Sequence, residues 1–238
     1  MKISLEQIKT ELESQKWQLI STEYHTLNDQ LIVKCPEGHT VYAPWKQLRS
    51  SPICPICKNN KYHNIGNKVS ARPRGAQRVL VFDQATHISG WTVFDGGELS
   101  GYGCFESQQA DEIDRDLEIK NWLLSLIESY KPDVVGLEGI QFQDNAGVTT
   151  FQTLARLQGI LMMAVKESGI PFQICPAAVW RGHCQVKGKT RADKKKSMQL
   201  LVKGWYDISV TEDEADAIGI GKFLSETYNA PLAMAFHA

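Results

Sequence analysis

Apolar residues follow two different periods in this chain, and their order predicts alternating strands and helices. Short apolar runs typical of buried strands occupy five segments: residues 79–82, 90–94, 98–105, 134–137 and 171–175. Apolar residues spaced three and four apart predict amphipathic helices in four more: residues 113–130, 149–168, 191–204 and 212–228. The turn Asp95-Gly96-Gly97 suits a tight hairpin between the second and third strands. From residue 78 onward, the pattern indicates an α/β domain.

The first 62 residues follow a different pattern. A helix with one apolar face fits residues 5–15, and short strand-like runs follow at residues 31–33 and 41–43. Residues 63–77 have no apolar period and several basic side chains, which is typical of a linker. These changes predict four parts: a small module (residues 1–62), a basic linker (63–77), a larger domain (78–228) and a tail (229–238).

Four potential zinc ligands form two close pairs in the small module: Cys35 with His39, and Cys54 with Cys57. Two such pairs suit tetrahedral zinc, and because protein fills all four positions the ion would be structural rather than catalytic. A module this small buries too little to fold alone, so one Zn²⁺ would supply its folding free energy. The alternative is a chance cluster of reduced cysteines. The scattered Cys104, Cys175 and Cys184 are expected to be small buried hydrophobes.

Composition narrows the class of protein. Of the 238 residues, 42% are hydrophobic and 22% are charged, which is ordinary globular composition and excludes disordered, collagen-like and repeat proteins. The longest apolar run, residues 160–165, is far shorter than a membrane span, and the charged N-terminus does not resemble a signal peptide. We therefore expect an intracellular protein without membrane contact.

Basic residues cluster in two stretches although the net charge is only −1. Residues 58–78 hold six basic residues and no acid, and residues 181–196 hold seven basic residues and one acid. Such stretches favour contacts with an anionic partner, and the alternative for each is a solvated surface. The candidate contact residues are Arg72, Arg74, Arg181, Lys187, Lys189 and Arg191.

Carboxylates occupy the ends of two predicted strands and the start of the last predicted helix. Asp83 and Glu138 each follow an apolar run, where a lone carboxylate is costly unless it is paired or holds a cation. Asp213 and Asp216 share a helix face, with a glutamate on either side of Asp213. If the four converge, their oxygen atoms select Mg²⁺ or Mn²⁺, and two such ions are the usual means of phosphodiester cleavage. The simpler alternatives are that Asp83 begins a turn and that Asp213 favours a helix N-terminus.

The order of these motifs resembles the RuvC family of Holliday junction resolvases, in the RNase H-like superfamily. The resemblance covers about residues 78–228 and rests on four ordered motifs: VLVFDQATHISGW from Val79, VVGLEGIQF from Val134, the basic segment from Pro176 to Lys196, and DEADA from Asp213. It implies an RNase H-like mixed five-stranded sheet flanked by helices, here preceded by the small zinc-binding domain. It also implies a metal-dependent endodeoxyribonuclease that acts on four-way DNA junctions as a homodimer, in a bacterial cytosol or a phage-infected host cell.

The resemblance also implies roles for single residues. The metal ligands would be Asp83, Glu138, Asp213 and Asp216, which hold two Mg²⁺ or Mn²⁺ ions. Lys194 or Lys195, together with Arg181, would contact the scissile region. Phe142 would stack on unpaired bases or open a base step at the crossover, and the alternative is a loop aromatic that packs on the domain.

Two features depart from the family pattern. The first motif of the family usually has a Pro-Gly-Ser-like turn after the aspartate, whereas this chain has Gln84-Ala85-Thr86. Bacterial members generally lack an N-terminal zinc module, and this one resembles the zinc-ribbon or treble-clef knuckles of other nucleases, especially those of phage type.

Three other functions compete with junction resolution. One is a broader branched-DNA or transposition nuclease on the same fold. Another is a catalytically inactive, zinc-anchored DNA-binding adaptor, which four intact carboxylates disfavour. The third is an actin-like or sugar-kinase ATPase, which normally needs two such domains, and the chain carries no GxxxxGK[ST] phosphate loop.

Overall fold

A computed structural model describes residues 3–50, 52–54, 57, 74–141 and 147–228 of the chain. Phe142, Arg72, most of the predicted linker and the predicted tail lie outside the described residues. None of the helices in the described part is both long and apolar enough to cross a membrane.

The N-terminal segment is a small three-stranded antiparallel sheet between two helices. Its elements are α1 (Leu5–Ser14), β1 (Gln18–Leu19), β2 (Gln30–Lys34), β3 (Thr40–Pro44) and α2 (Trp45–Ser50). A capping box between Ser4 and Gln7 starts α1, and β2 pairs with its neighbours on both sides. The sequence pattern did not predict α2, whose Trp45 and Leu48 lie three residues apart and are both buried.

A mixed five-stranded sheet forms the centre of the larger domain. Its strands are β4 (Arg78–Asp83), β5 (Ile88–Asp95), β6 (Glu98–Glu106), β7 (Val134–Gly139) and β8 (Phe172–Pro176). The spatial order is β6-β5-β4-β7-β8, in which β4, β5 and β6 pair antiparallel while β7 and β8 run parallel to β4. The prediction of a mixed five-stranded sheet is therefore confirmed.

Helices cover both faces of this sheet. They are α3 (Glu112–Tyr130), α4 (Gly147–Glu167), α5 (Ala177–His183), α6 (Arg191–Tyr206) and α7 (Glu212–Thr227). Alternate residues of β4 point to opposite faces, so Leu80 and Phe82 pack with α3 and α4 while Val79 and Val81 pack with α5, α6 and α7. The short α5 was not predicted as a helix.

The apolar core continues from the N-terminal segment into the larger domain. One cluster of buried side chains extends from Ile8 and Trp45 through Trp122 to Phe82. Between the two parts, the Asn121 amide on α3 donates a hydrogen bond to the Gln30 side-chain oxygen on β2 (3.2 Å). The division into a small module and a larger domain stays a prediction, since one apolar cluster includes side chains of both parts.

Trp91, at the centre of β5, is only 1% exposed. The sequence analysis expected the three cysteines outside the Cys/His cluster to be buried. Cys175 and Cys184 are buried, and Cys104 is half-buried.

Candidate active site

The parallel pairing of β4 and β7 brings two predicted acids together. Phe82 lies opposite Leu137 in the register of these strands, so the residues that follow them, Asp83 and Glu138, stand side by side at the same edge of the sheet. Both line a cavity of about 390 Å³, together with Asp213 and Asp216. The structure therefore brings all four predicted carboxylates to one cavity.

A glycine on β5 allows α7 to reach this edge. Gly90 pairs with Asp83 across the antiparallel ladder. A Cβ atom at Gly90 would lie 2.1 Å from the backbone oxygen of Asp213, so only glycine permits the first turn of α7 to lie this close to the sheet. This contact places Asp213 beside Asp83.

Neighbouring acids at the start of α7 have different partners. Glu214 is fully buried and accepts hydrogen bonds from the backbone N–H (2.8 Å) and the hydroxyl (3.0 Å) of Thr211, the N-cap residue. Glu212 forms an ion pair with Lys195 at 3.0 Å. Glu214 thus caps the helix, while Asp213 and Asp216 line the cavity.

Basic side chains lie among the carboxylates. Lys195 Nζ is 3.5 Å from Asp213, and the Arg181 guanidinium is 3.3 Å from Glu138 and 3.7 Å from Asp216. Arg191 and Lys194 also line the cavity, so both predicted lysines of this segment are at the site. The other described candidates for DNA contact are exposed and lie outside the cavity lining: Arg74, Lys187 and Lys189.

Three contacts to Glu138 involve residues to which the sequence analysis assigned no role. The indole N–H of Trp180 donates to Oε1 of Glu138 (3.0 Å), and the amides of Gln84 and Gln158 each donate to its backbone oxygen (2.7 Å). The available sequence signals were the position of Gln84 directly after Asp83 and the position of Trp180 directly before Arg181. Neither position in the sequence indicates that the side chain contacts Glu138.

The electrostatics of the cavity suit a divalent cation. Burial, together with the neighbouring charges of Glu138, Asp216 and Asp213, raises the pKa of Asp83 well above its ordinary value. Burial also raises the pKa of Asp216 to about 6, against the opposing effect of Arg181. A divalent cation bound by carboxylate oxygens would relieve this repulsion, so the residues present fit Mg²⁺ or Mn²⁺.

We expect the Asp216→Asn variant to be more stable than the wild-type protein at pH 7 in buffer freed of Mg²⁺ and Mn²⁺ by a chelating resin. The folded-state pKa of Asp216 is raised from 3.8 to about 6, so the carboxyl is charged at a cost above pH 6 and neutral at no cost below about pH 4. A shift of this size corresponds to about 3 kcal/mol at pH 7. Urea unfolding at pH 4, 5.5 and 7 measures the difference.

The stability difference should shrink as the pH falls and be lost near pH 4, because both proteins are then neutral at this position. Added Mg²⁺ should raise the melting temperature of the wild-type protein more at pH 7 than at pH 5, since protons compete with the ion for the carboxylates. Equal stability of the two proteins at pH 7 would contradict the expectation.

The Cys/His cluster has the spacing of a tetrahedral zinc site. The ligand atoms of Cys35, His39, Cys54 and Cys57 all lie within 4.8 Å of one another, the only group this compact in the described part of the chain. His39 Nδ1 lies 3.5 Å from the sulfur of Cys35, 3.2 Å from that of Cys57 and 3.8 Å from that of Cys54. Bonds of about 2.3 Å to sulfur and about 2.1 Å to nitrogen would separate tetrahedral ligands by about 3.5–3.8 Å.

A turn between β2 and β3 forms half of this cluster. The Cys35 N–H donates to the His39 backbone oxygen (2.9 Å), and Gly38 has φ +85°, a conformation that favours glycine. Hydrogen bonds from Cys54, Cys57 and His39 hold the pKa of the Cys35 thiol well below its ordinary value. A thiolate is the form of cysteine that binds a metal ion.

Comparison with known proteins identifies the family. The family model described as crossover junction endodeoxyribonuclease RuvC matches residues 79–221, a segment that contains all four carboxylates. This chain belongs to the RuvC family. Nucleases of this family use divalent metal ions.

Individual relatives agree with this assignment. The RuvC of Chloroflexus aggregans is 30% identical over 167 residues, which cover 67% of this chain and 98% of the relative. The RuvC of Brevibacillus brevis is 29% identical over 151 residues, which cover 60% of this chain and 88% of the relative. A solved structure of T. thermophilus RuvC in complex with a Holliday junction substrate has the same fold, with a TM-score of 0.52 and 17% identity over 63% of this chain and 95% of that chain.

The RuvC match begins at residue 79, so the segment with the Cys/His cluster precedes it. The departure in the first RuvC motif has a visible consequence, because Gln84 supplies an amide donor to Glu138. A proline at this position would have no side-chain donor.

Proposed function

We propose that this protein is a metal-dependent endodeoxyribonuclease that resolves four-way (Holliday) DNA junctions. The observation that carries the proposal is the convergence of four carboxylates, within the segment that matches RuvC, in a cavity also lined by basic side chains. Carboxylates select divalent cations and basic side chains select phosphates, so the cavity offers the two kinds of group that a phosphodiesterase site needs.

The four carboxylates Asp83, Glu138, Asp213 and Asp216 would hold two Mg²⁺ or Mn²⁺ ions. Such ions supply Lewis-acid stabilisation of the phosphodiester and lower the pKa of water for attack. Arg181, Arg191 and Lys194 line the cavity and would hold the phosphates on either side of the scissile bond. Lys195, paired with Asp213 and Glu212, would keep these carboxylates in place.

Further DNA contacts follow from charge and exposure. Arg74, Lys187 and Lys189 are exposed basic residues that would contact the backbone away from the cavity, where each phosphate contact adds affinity that falls with salt. Arg72 would act in the same way, and Phe142 would stack on an unpaired base at the crossover. A homodimer would place one active site on each of two symmetric strands of the junction.

The Cys/His cluster would hold one structural Zn²⁺. Support comes from the ligand spacing and from the absence of an open position among its four ligands. The protein would act in the cytosol of a bacterium or of a phage-infected host cell, where cysteines stay reduced and available to bind metal. The phage-type character of the module stays a prediction.

A set of labelled DNA substrates tests the function. The full chain is incubated with an immobile four-way junction, a matched duplex, a flap and a fork, each with Mg²⁺, with Mn²⁺ or with neither ion. Paired, symmetric nicks in the junction that require the ion support the proposal. Equal cleavage of flaps and forks would replace it with a broader branched-DNA nuclease, and binding without cleavage would replace it with a DNA-binding adaptor.

A further inference from the structure

Glu138 is held at two points. Its side-chain oxygen Oε1 accepts hydrogen bonds from the indole N–H of Trp180 (3.0 Å) and from Nη2 of Arg181 (3.3 Å). Its backbone oxygen accepts from the amides of Gln84 and Gln158, both at 2.7 Å. These four donors come from α4, from α5 and from the residue that follows β4, so three separate parts of the chain converge on one residue.

Packing fixes the Trp180 ring in place. Trp180 is fully buried in the cluster between the sheet and α7. A Cβ atom at Gly219 of α7 would lie 2.9 Å from the ring and 3.0 Å from Met198, so the indole occupies space that only this glycine leaves open. Because the ring cannot shift, the direction of its N–H is set by the core rather than by the cavity.

The two donors to Oε1 differ in charge. The last torsion of a glutamate side chain is soft, so a carboxylate without fixed partners rotates freely. Arg181 orients the carboxylate but carries a positive charge that opposes a nearby cation. The Trp180 indole is a neutral group that only donates, so it orients the carboxylate without that opposing charge.

The two glutamines act on the backbone of the same residue. Gln84 follows Asp83 directly, and its bond to the Glu138 oxygen ties the ends of β4 and β7 together. Gln158 reaches the same oxygen from α4, and a carbonyl oxygen can accept two such bonds. The backbone of Glu138 is therefore held close to the end of β4, the strand that carries Asp83.

We propose that Trp180 is a positioning residue for Glu138, with Gln84 and Gln158 in support, and that it raises the affinity of the site for its divalent cation. The proposal rests on the function proposed above, in which Glu138 is a metal ligand. Groups that hydrogen-bond to metal ligands commonly change metal affinity or activity by about 10–100-fold.

The Trp180→Phe variant removes the N–H and keeps an aromatic ring. We expect it to bind Mn²⁺ about tenfold more weakly than the wild-type chain. Electron paramagnetic resonance of free Mn²⁺, with zinc-loaded full chain and no DNA, measures this affinity without turnover. In junction cleavage, the variant should be slow at low Mg²⁺ concentration and approach the wild-type rate as the concentration rises. The reason is that the variant binds the ion more weakly, and a higher concentration fills the site again.

The matched control is Trp122→Phe. Trp122 is equally buried in the larger domain, and its indole N–H has no hydrogen-bond partner among the described residues. This control should bind Mn²⁺ as the wild-type chain does. If Trp122→Phe weakens Mn²⁺ binding as much as Trp180→Phe, the effect is a general loss of core packing and the proposal is wrong.

A spectroscopic readout reports on the contact itself. In ¹⁵N spectra of the full chain, the indole resonance lost in Trp180→Phe should shift when Mg²⁺ is added to the wild-type chain. A resonance that does not move, with unchanged Mn²⁺ affinity in the variant, overturns the proposal. If Trp180→Phe does not fold, Gln158→Leu replaces it in the binding experiment, since Gln158 is only half-buried on α4 and should also weaken Mn²⁺ binding.

Failure of this proposal is distinguishable from failure of the proposed function. If the wild-type chain cuts no branched DNA with any ion, the nuclease function fails, while the Mn²⁺ comparison still decides the role of Trp180. If the wild-type chain cuts junctions and Trp180→Phe has the same Mn²⁺ affinity and the same Mg²⁺ dependence, only the positioning role fails.

Discussion

The Asp83→Asn variant is expected to bind a four-way junction as the wild-type protein does and to cut it at a rate lower by on the order of 10³-fold or more. Asp83 stands beside Glu138 at the sheet edge. Burial raises its pKa most, and the negative charges of three neighbouring carboxylates raise it further. Replacing the carboxylate by an amide removes a negative oxygen from among the four carboxylates, so divalent cations lose a ligand. The basic side chains that line the cavity, which would hold the DNA, remain.

Single-turnover cleavage of a labelled junction at saturating protein measures the rate, and gel-shift titration without divalent ion measures binding. Asp207→Asn is the matched control, because Asp207 is an exposed aspartate at the end of α6 that pairs with Lys203. The control should cut at the wild-type rate. Cleavage by Asp83→Asn at more than a tenth of the wild-type rate would show that Asp83 is not a metal ligand of the active site.

The Cys54→Ser variant is expected to lose its zinc and to lower the melting temperature of the whole chain by about 10 °C or more, since each kcal/mol shifts a protein of this size by about 2–4 °C. Structural zinc contributes about 10–16 kcal/mol in small metal-binding peptides, comparable to the total stability of a domain. The loss should extend beyond the N-terminal segment, because the apolar core is shared with α3 and the central sheet.

Zinc content by elemental analysis and thermal unfolding by circular dichroism test this together. Cys104→Ser is the matched control, since Cys104 lies outside the cluster and its sulfur forms a hydrogen bond with the Thr211 hydroxyl (3.3 Å). The control should keep one zinc per chain and a near-wild-type melting temperature. A Cys54→Ser protein with full zinc content, or with an unchanged melting temperature, would show that the cluster is not a structural metal site.

Local patterns were sufficient for much of the larger domain. Strand β4 is buried on both faces, and its unbroken apolar run before Asp83 indicated a central strand. The order of strands and helices predicted an α/β domain, and the resemblance to the RuvC family implied its mixed five-stranded sheet. The pair of Cys/His motifs was visible because short turns bring ligands together within a few residues.

Residues distant in sequence needed the tertiary structure. Trp180 reaches Glu138 across 42 positions, Gln84 across 54 and Gln158 across 20, and no local period encodes such contacts. The short helix α5 escaped prediction because Trp180 is its only buried residue, too few to produce a helical period. Continuity of the core between the N-terminal segment and α3 likewise depends on packing rather than on sequence pattern.

The sequence by itself determined the α/β class, the order of its elements and the residue types available for metal and phosphate. Only the tertiary structure showed how the acids of α7 are divided between the cavity and the start of the helix. Glu214 turns to its own N-cap while Asp213 and Asp216 line the cavity, because the close approach of α7 at Gly90 sets the rotation of the helix against the sheet. Helical spacing fixes which residues share a face, whereas packing against a neighbouring element decides where that face points.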